Sequence, residues 1–300
     1  MTGNTGNTGN TGNPGNTGNT GNAGIAGETG GGWFTPDRGD LPFVMERDPE
    51  TIGNPLINLL HRNGLPKNGF PPRDWTAKWY AWRVLHTFAG TAWEPTATAV
   101  ITPLWTAITD PSTIAEIPFL VNMARDERAE AMGEILSQDV EFISDFMGVL
   151  GITPGSHPNT YRILHIASLI GSYAVLHYKG KHPRPRPSHY APALRPPMPL
   201  PGHPSFPSGH ATQSRLMALS VELVLQTSTL TLNDEAAFST SLKSLAVRVA
   251  RNRELAGLHF PTDSLAGRAL ANDLFATLTT KAPVSVMFLA EVNLAAAEWT

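Results

Sequence analysis

The chain has 300 residues, 41% of them apolar and 16% charged, enough to bury the core of one large domain or two small ones. Lys and Arg number 22 against 25 Asp and Glu, and the net charge of −3 leaves no field to gather nucleic acid or an anionic membrane surface. The absence of cysteine excludes disulfides, thiolate nucleophiles, iron–sulfur clusters and cysteine-bound zinc, so any catalysis runs on His, carboxylates, Ser, Lys or Arg.

The first 32 residues form a low-complexity segment in which glycine recurs at every third position from Gly3 to Gly30, mostly as Gly-Asn-Thr. That is the spacing of a collagen helix, but Pro14 is its one imino acid, so the segment reads as a disordered tail. A trimerising or surface-tethering segment is the alternative. Residues 33–75, rich in Pro, Gly and Asp, read as an irregular lead-in, and residues 76–300 as a helical catalytic domain. The N-terminus shows no charged and apolar signal pattern, and the longest apolar stretch without a charged residue, Ile163 to Tyr178, is too short to cross a bilayer. No membrane span is expected, and a cytoplasmic location follows by default unless a signal has been cleaved.

Apolar spacing of three and four predicts helices over Trp75–Phe88 and Thr96–Ile108, with Asp110-Pro111-Ser112 as a stop and a new cap. One long amphipathic helix is expected from Ser112 to Gly151, its stripe made by Met132, Ile135, Leu136, Val140, Phe142, Ile143 and Phe146. Its charged face, Asp126, Glu127, Arg128 and Glu130, reads as solvated and stabilised by pairs four residues apart. Further helices are expected over Asn159–Tyr178, Gly209–Gln226, Asn233–Leu255, Pro261–Lys281 and Val284–Glu298. Almost nothing alternates with period two, so the fold class is all-α, a packed helical bundle. Trp75, Trp79 and Trp82 read as core or rim packing. Between Lys181 and Pro207 stand ten prolines in 27 residues, which predicts a stiff, extended surface loop without helix.

Three polar groups flank or close that loop. Ser208 and Gly209 open the helix beginning Ala211-Thr212-Gln213, so the free N–H groups and dipole of its first turn offer an anion site. Lys179 adds a point charge, and Arg186 and Arg253 add planar forks that match the oxygens of a tetrahedral oxyanion. Asp263 follows His259 by four residues at the start of a helix, so its carboxylate can fix one imidazole nitrogen and leave the other free to attack. His210 can stand across the anion and protonate a leaving oxygen.

Lys179 with Arg186-Pro187, then Pro207-Ser208-Gly209-His210, then Arg253 with His259 and Asp263 resemble the signature of the superfamily joining type 2 phosphatidic acid phosphatases, class A acid phosphatases and vanadium-dependent haloperoxidases. Asn252 stands where that signature has serine, a position expected to be peripheral. The resemblance implies an all-α core of the acid phosphatase/vanadium haloperoxidase type, in which Lys179, Arg186, Ser208, Gly209 and Arg253 hold the oxyanion. It also implies that His259 forms a phosphohistidine, that His210 is general acid and base, and that Asp263 supports His259. The reading is a soluble, metal-independent phosphomonoesterase that needs no cofactor and takes a small phosphorylated substrate. The alternative implied by the same resemblance is a haloperoxidase holding vanadate on His259 and using halide and hydrogen peroxide. His203, seven residues before His210, occupies the place of a second haloperoxidase histidine, whereas Leu176 stands where many haloperoxidases have tryptophan and the chain is shorter than halogenating relatives.

The remaining residues carry blander expectations. His61, His86, His157 and His165 read as structural, as do His177, His182 and His189 beside the loop. Arg184, inside Arg-Pro-Arg-Pro, reads as surface charge rather than a second anion contact. A third hypothesis of another class, a surface or assembly protein working through its tail, and a family member that binds without turnover, both remain open, as does a homo-oligomer.

Overall fold

The computed structural model describes residues 74–300. The expectations for residues 1–32 and 33–73, including His61, fall outside the described residues. Among the described residues there are helices and no strand. In chain order they are α1 (Ala77–Ala89), α2 (Glu94–Thr106), α3 (Asp110–Asp126), α4 (Arg128–Val140), α5 (Ile143–Leu150), α6 (Pro158–Lys181), α7 (Pro187–Tyr190), α8 (Gly209–Thr227), α9 (Leu232–Leu255), α10 (Pro261–Thr280) and α11 (Val284–Ala296). The all-α expectation holds, and seven of its helix spans lie within a few residues of the observed ones. None of these helices is long and apolar enough to cross a membrane.

α8 is the axis of the bundle and packs against α6, α9 and α10. Its residues are buried on nearly every face, and several of its polar groups are bonded inside the protein. The Thr212 hydroxyl donates to the Ser208 carbonyl at 2.9 Å, Ser214 to the Ala246 carbonyl at 3.1 Å, and the Gln213 amide to the Ser168 hydroxyl at 2.9 Å. Two glycines let helices come close to this axis. A Cβ on Gly171 of α6 would stand 3.2 Å from the Gln213 Cα, and one on Gly267 of α10 only 2.6 Å from the Ser208 carbonyl oxygen.

α6 is almost wholly buried, so its N-terminal N–H groups need partners from the protein. The Glu298 carboxylate accepts from the Asn159 and Thr160 amides at 2.7 and 2.9 Å, an anion placed at the positive end of the helix dipole. Further along α6, the buried Arg162 guanidinium pairs with Glu291 of α11 at 3.0 Å and covers the Tyr80 ring at 4.7 Å.

Several expectations are corrected. The single helix over 112–151 is three helices, because Glu127 leaves helical geometry at φ −125° and Glu141 is fully extended at φ −166°, ψ 161°. The expected stripe conflates two faces: Ile135, Phe142, Ile143 and Phe146 are buried, whereas Leu136 and Val140 are exposed. α3 is capped by Thr109, with Ser112 completing the capping box. The charged face is not held by pairs four residues apart. Half-buried Arg128 donates to the Leu255 and Leu194 carbonyls at 2.6 Å each, and Glu127 pairs with Arg251 of α9. Trp79 and Trp82 are exposed and belong to the rim.

The Pro-rich segment is neither helix-free nor wholly superficial. Pro187 starts the one-turn α7 and Pro192 a 3₁₀ turn to Leu194, since proline is well suited to a first helical position. Arg184, Arg186, Leu194, Met198, Ser205 and Phe206 are buried.

Candidate active site

The three sequence groups meet at the N-terminal ends of α8 and α10, with the C-terminal ends of α4 and α9 beside them. The Ser208 hydroxyl caps α8 by accepting from the Ala211 amide at 3.4 Å, and the Ser208 amide donates to the Asp263 carbonyl at 3.0 Å. Two helix starts are thereby tied back to back, which requires the missing side chain at Gly267.

Arg186, His203, His210, Arg253 and His259 share one narrow cleft of about 10 Å³, closed by Asp139, Pro201 and Leu258. Lys179, Ser208 and Gly209 are buried beside it rather than in its lining. The Lys179 ammonium donates to the Pro204 and Ser205 carbonyls at 2.6 and 2.9 Å and so pins the loop that carries His203. A larger, more open cleft of about 350 Å³ lies along the Pro-rich segment and shares Arg186, Pro201 and His203 with the inner one.

The hydrogen bonds fix both imidazoles. Arg186 Nη1 lies 3.3 Å from His259 Nε2, and because a guanidinium only donates, Nε2 must be the bare nitrogen. The ring proton is then on Nδ1, 3.3 Å from Asp263 Oδ2, which also accepts from the Phe260 amide at 3.0 Å. His210 has the opposite tautomer. Its Nε2 is 2.9 Å from the Gln138 carbonyl, which only accepts, so Nε2 carries the proton and Nδ1 the lone pair. That carbonyl belongs to the last turn of α4, where carbonyls lack helical partners. The Phe142 ring stacks on His210 at 4.9 Å between centroids.

Charge and burial act together here. Burial first, then the Arg186 and Lys179 charges, hold His259 well below the ordinary histidine range. Burial and Arg253 do the same to His210, opposed by its bond to Gln138. Burial brings Arg186 and Arg253 down to about 10, which still leaves both protonated at neutral pH. Lys179 is pulled well below its usual value by burial and by Arg186, with Asp263 opposing. Arg253 is steadied by the Ile135 carbonyl and by Asp139 at 3.4 Å, and Arg186 reaches the Leu258 carbonyl at 2.8 Å and His203 Nδ1 at 3.1 Å.

Two sequence expectations fail at this site. Arg184 is not surface charge: it is buried, with Nη1 2.7 Å from Asp263 Oδ1 and Nη2 3.1 Å from Glu116 Oε1. Its place inside a proline-rich run hid this, since nothing local tells which of two alternating arginines turns inward. Asn252 is not peripheral either. It is buried and donates to the Gln138 side-chain oxygen at 2.9 Å, while the Gln138 amide donates to Asp145 at 2.8 Å. Sequence reasoning missed Gln138, Glu116, Asp139 and Gly267; of these only Gly267, a glycine inside a helix, left a readable signal. Among the histidines expected to be structural, His86 is exposed and His165 is buried without a partner on Nε2.

Fold and cleft together define an all-helical protein whose buried histidines face paired guanidinium groups. Residues 162–283 of the chain match the PAP2 superfamily. Among solved structures it is similar to a transmembrane PAP2-type phosphatidylglycerolphosphate phosphatase from Bacillus subtilis, with 16% identity, 68% of this chain and 92% of that chain covered, and a TM-score of 0.33. No curated protein sequence matches it.

Proposed function

We propose that the chain is a metal-independent phosphomonoesterase working through a phosphohistidine on His259. The observation that carries this reading is the opposed tautomers of two histidines in one cationic cleft: His259 presents a bare Nε2 and His210 a bare Nδ1. The phosphoryl group of the substrate sits between them, its oxygens facing Arg186 and Arg253, with Lys179, Ser208 and Gly209 completing the frame through the backbone they hold. A bound dianion offsets the cations that depress both imidazoles, so His210 Nδ1 takes up a proton as substrate enters.

His259 Nε2 then attacks phosphorus, forming the N–P bond as the ester P–O bond breaks, and the His210 Nδ1 proton goes to the leaving oxygen. Asp263 accepts from Nδ1–H of the cationic ring so formed. In the second half, water attacks phosphorus, its proton returns to His210 Nδ1, and the N–P bond breaks to release inorganic phosphate. The organic part of the substrate has room in the outer cleft among Pro183, Pro185, Pro201 and Pro204.

Hydrolysis of an activated aryl phosphate in the presence of EDTA tests the reading. Turnover that survives the chelator and is lost in His259→Ala is the expected result; activity abolished by EDTA, or unchanged in His259→Ala, overturns it. A second reading is supported by one observation, the placement of His203 in the inner cleft beside Arg186. Vanadate is shaped like phosphate, so the same residues suit it; bound on His259 it would supply peroxide activation for halide oxidation. Adding orthovanadate separates the two, because it inhibits the phosphatase competitively and switches on the peroxidase.

A further inference from the structure

Asp263 is fully buried and receives only two hydrogen bonds from the His259 side, from the imidazole Nδ1 and the Phe260 amide. A carboxylate in such a place stays ionised only if a cation stands close. Arg184 is that cation, and the rest of its fork is anchored away from the cleft. Nη1 also reaches the Thr262 hydroxyl at 2.7 Å, Nη2 reaches Thr113 at 3.1 Å and Glu116 at 3.1 Å, and the guanidinium plane covers the Phe260 ring at 3.8 Å. Glu116 closes the arrangement by accepting from the Thr262 amide at 3.0 Å, in the first turn of α10. Arg184 does not line the inner cleft, where the phosphoryl group sits, and borders only the outer one.

We propose that Arg184 is a positioning residue for the reaction, acting on His259 solely through Asp263 at the inner end of a Glu116–Arg184–Asp263–His259 chain. The inference rests on the phosphatase reading and deepens it. When His259 Nε2 is bonded to phosphorus the ring is cationic, and its Nδ1–H needs an ionised, correctly turned carboxylate. Arg184 supplies both conditions by holding Oδ1, which leaves Oδ2 to face the ring. Without it the buried carboxyl is free to rotate, and the imidazole loses its orientation. A lysine would keep the charge but not the fork that spans two carboxylates and lies flat on Phe260.

The test is a double-mutant cycle on the full chain with an aryl phosphate as substrate and inorganic phosphate as competitive inhibitor. Arg184→Gln is expected to lower kcat about 10- to 100-fold, the usual effect of losing a residue that orients a functional group, and to leave the inhibition constant for phosphate unchanged. In the Asp263→Asn background the same change is expected to cost nothing further in kcat, because its one route of action is already gone. A loss that multiplies in the double variant, or phosphate affinity that weakens as it does in Arg186→Gln, overturns the proposal by making Arg184 a fold support or an anion contact. Should Arg184→Gln not fold, Glu116→Gln keeps the arginine and loosens its outer anchor. It is expected to lower kcat about 3- to 10-fold in the wild-type background only, on the same orienting logic, and an unchanged kcat or a loss that persists beside Asp263→Asn counts against the chain. A wild-type protein that turns over while the cycle fails removes this inference alone; a wild-type protein without turnover removes the phosphatase reading as well.

Discussion

His259 and His210, facing one cleft, are held by opposite kinds of support. His259 is backed by alternating charges, Asp263, Arg184 and Glu116, all in direct contact. His210 is backed by neutral groups: a helix-end carbonyl, the Phe142 ring, and the amides of Gln138 and Asn252 behind that carbonyl. The difference matches the work proposed for each. A nucleophile that ends a step as a phosphorylated cation needs a fixed counter-charge nearby. An acid and base that must hold and then release one proton in every turnover is better served by a dipole, which stabilises the cation without trapping it.

The comparison breaks most sharply at the rings themselves. His259→Ala is expected to lower kcat by about 10⁴ or more, and His210→Ala by a similar factor with an activated leaving group restoring part of it, because such a group needs no proton. Equal sensitivity of both variants to leaving-group acidity would erase the distinction between nucleophile and acid.

Next in size is Gly267→Ala. Its Cβ would lie 2.6 Å from the Ser208 carbonyl oxygen, so the starts of α8 and α10 must separate, and both histidines move with them. A kcat loss of about 10²-fold and a stability loss of about 2 kcal/mol are expected, read by steady-state assay and thermal unfolding.

His165 provides a control, a buried histidine without either kind of support. Burial, with a smaller push from Lys78, brings it down to about 4. The unfolded chain takes up this proton first as pH falls, so His165 contributes fully above pH 6.5 and its contribution drains away between pH 6.5 and about 4. The loss amounts to about 3 kcal/mol. His165→Leu is expected to flatten that part of the stability-against-pH curve in denaturant titrations while leaving kcat unchanged; an unaltered curve would show that the site titrates normally.

The smallest effect is expected at Asn252→Ala, which leaves the Gln138 side-chain oxygen without its 2.9 Å partner. About 1 kcal/mol of stability and a few-fold in kcat should go. A larger fall in kcat than in His203→Ala would show that the neutral side is the more finely held of the two.

Much of this was legible before any fold was known. Apolar spacing gave seven helix spans to within a few residues, and residue type and order in three short groups singled out the side chains that meet at the helix ends. Where reading failed, a tertiary contact had outvoted a local pattern. Leu136 and Val140 extend the apolar stripe of Ile135, yet Glu141 turns the chain and they face solvent. Arg184 and Arg186 are alike in sequence, and only α3 and α10, which bring Glu116 and Asp263 to it, decide that Arg184 points inward as well.

Local periodicity and the chemistry of individual side chains belong to the chain alone, because helical phase and the donor or acceptor nature of a group do not depend on distant residues. By itself, then, the sequence determined an all-helical protein with imidazole, guanidinium and carboxylate groups gathered in three places. Tautomers, burial and the sign of each basicity shift depend on which carbonyl, cation or ring a fold sets against each group, often about seventy residues away, and those the tertiary structure alone decided.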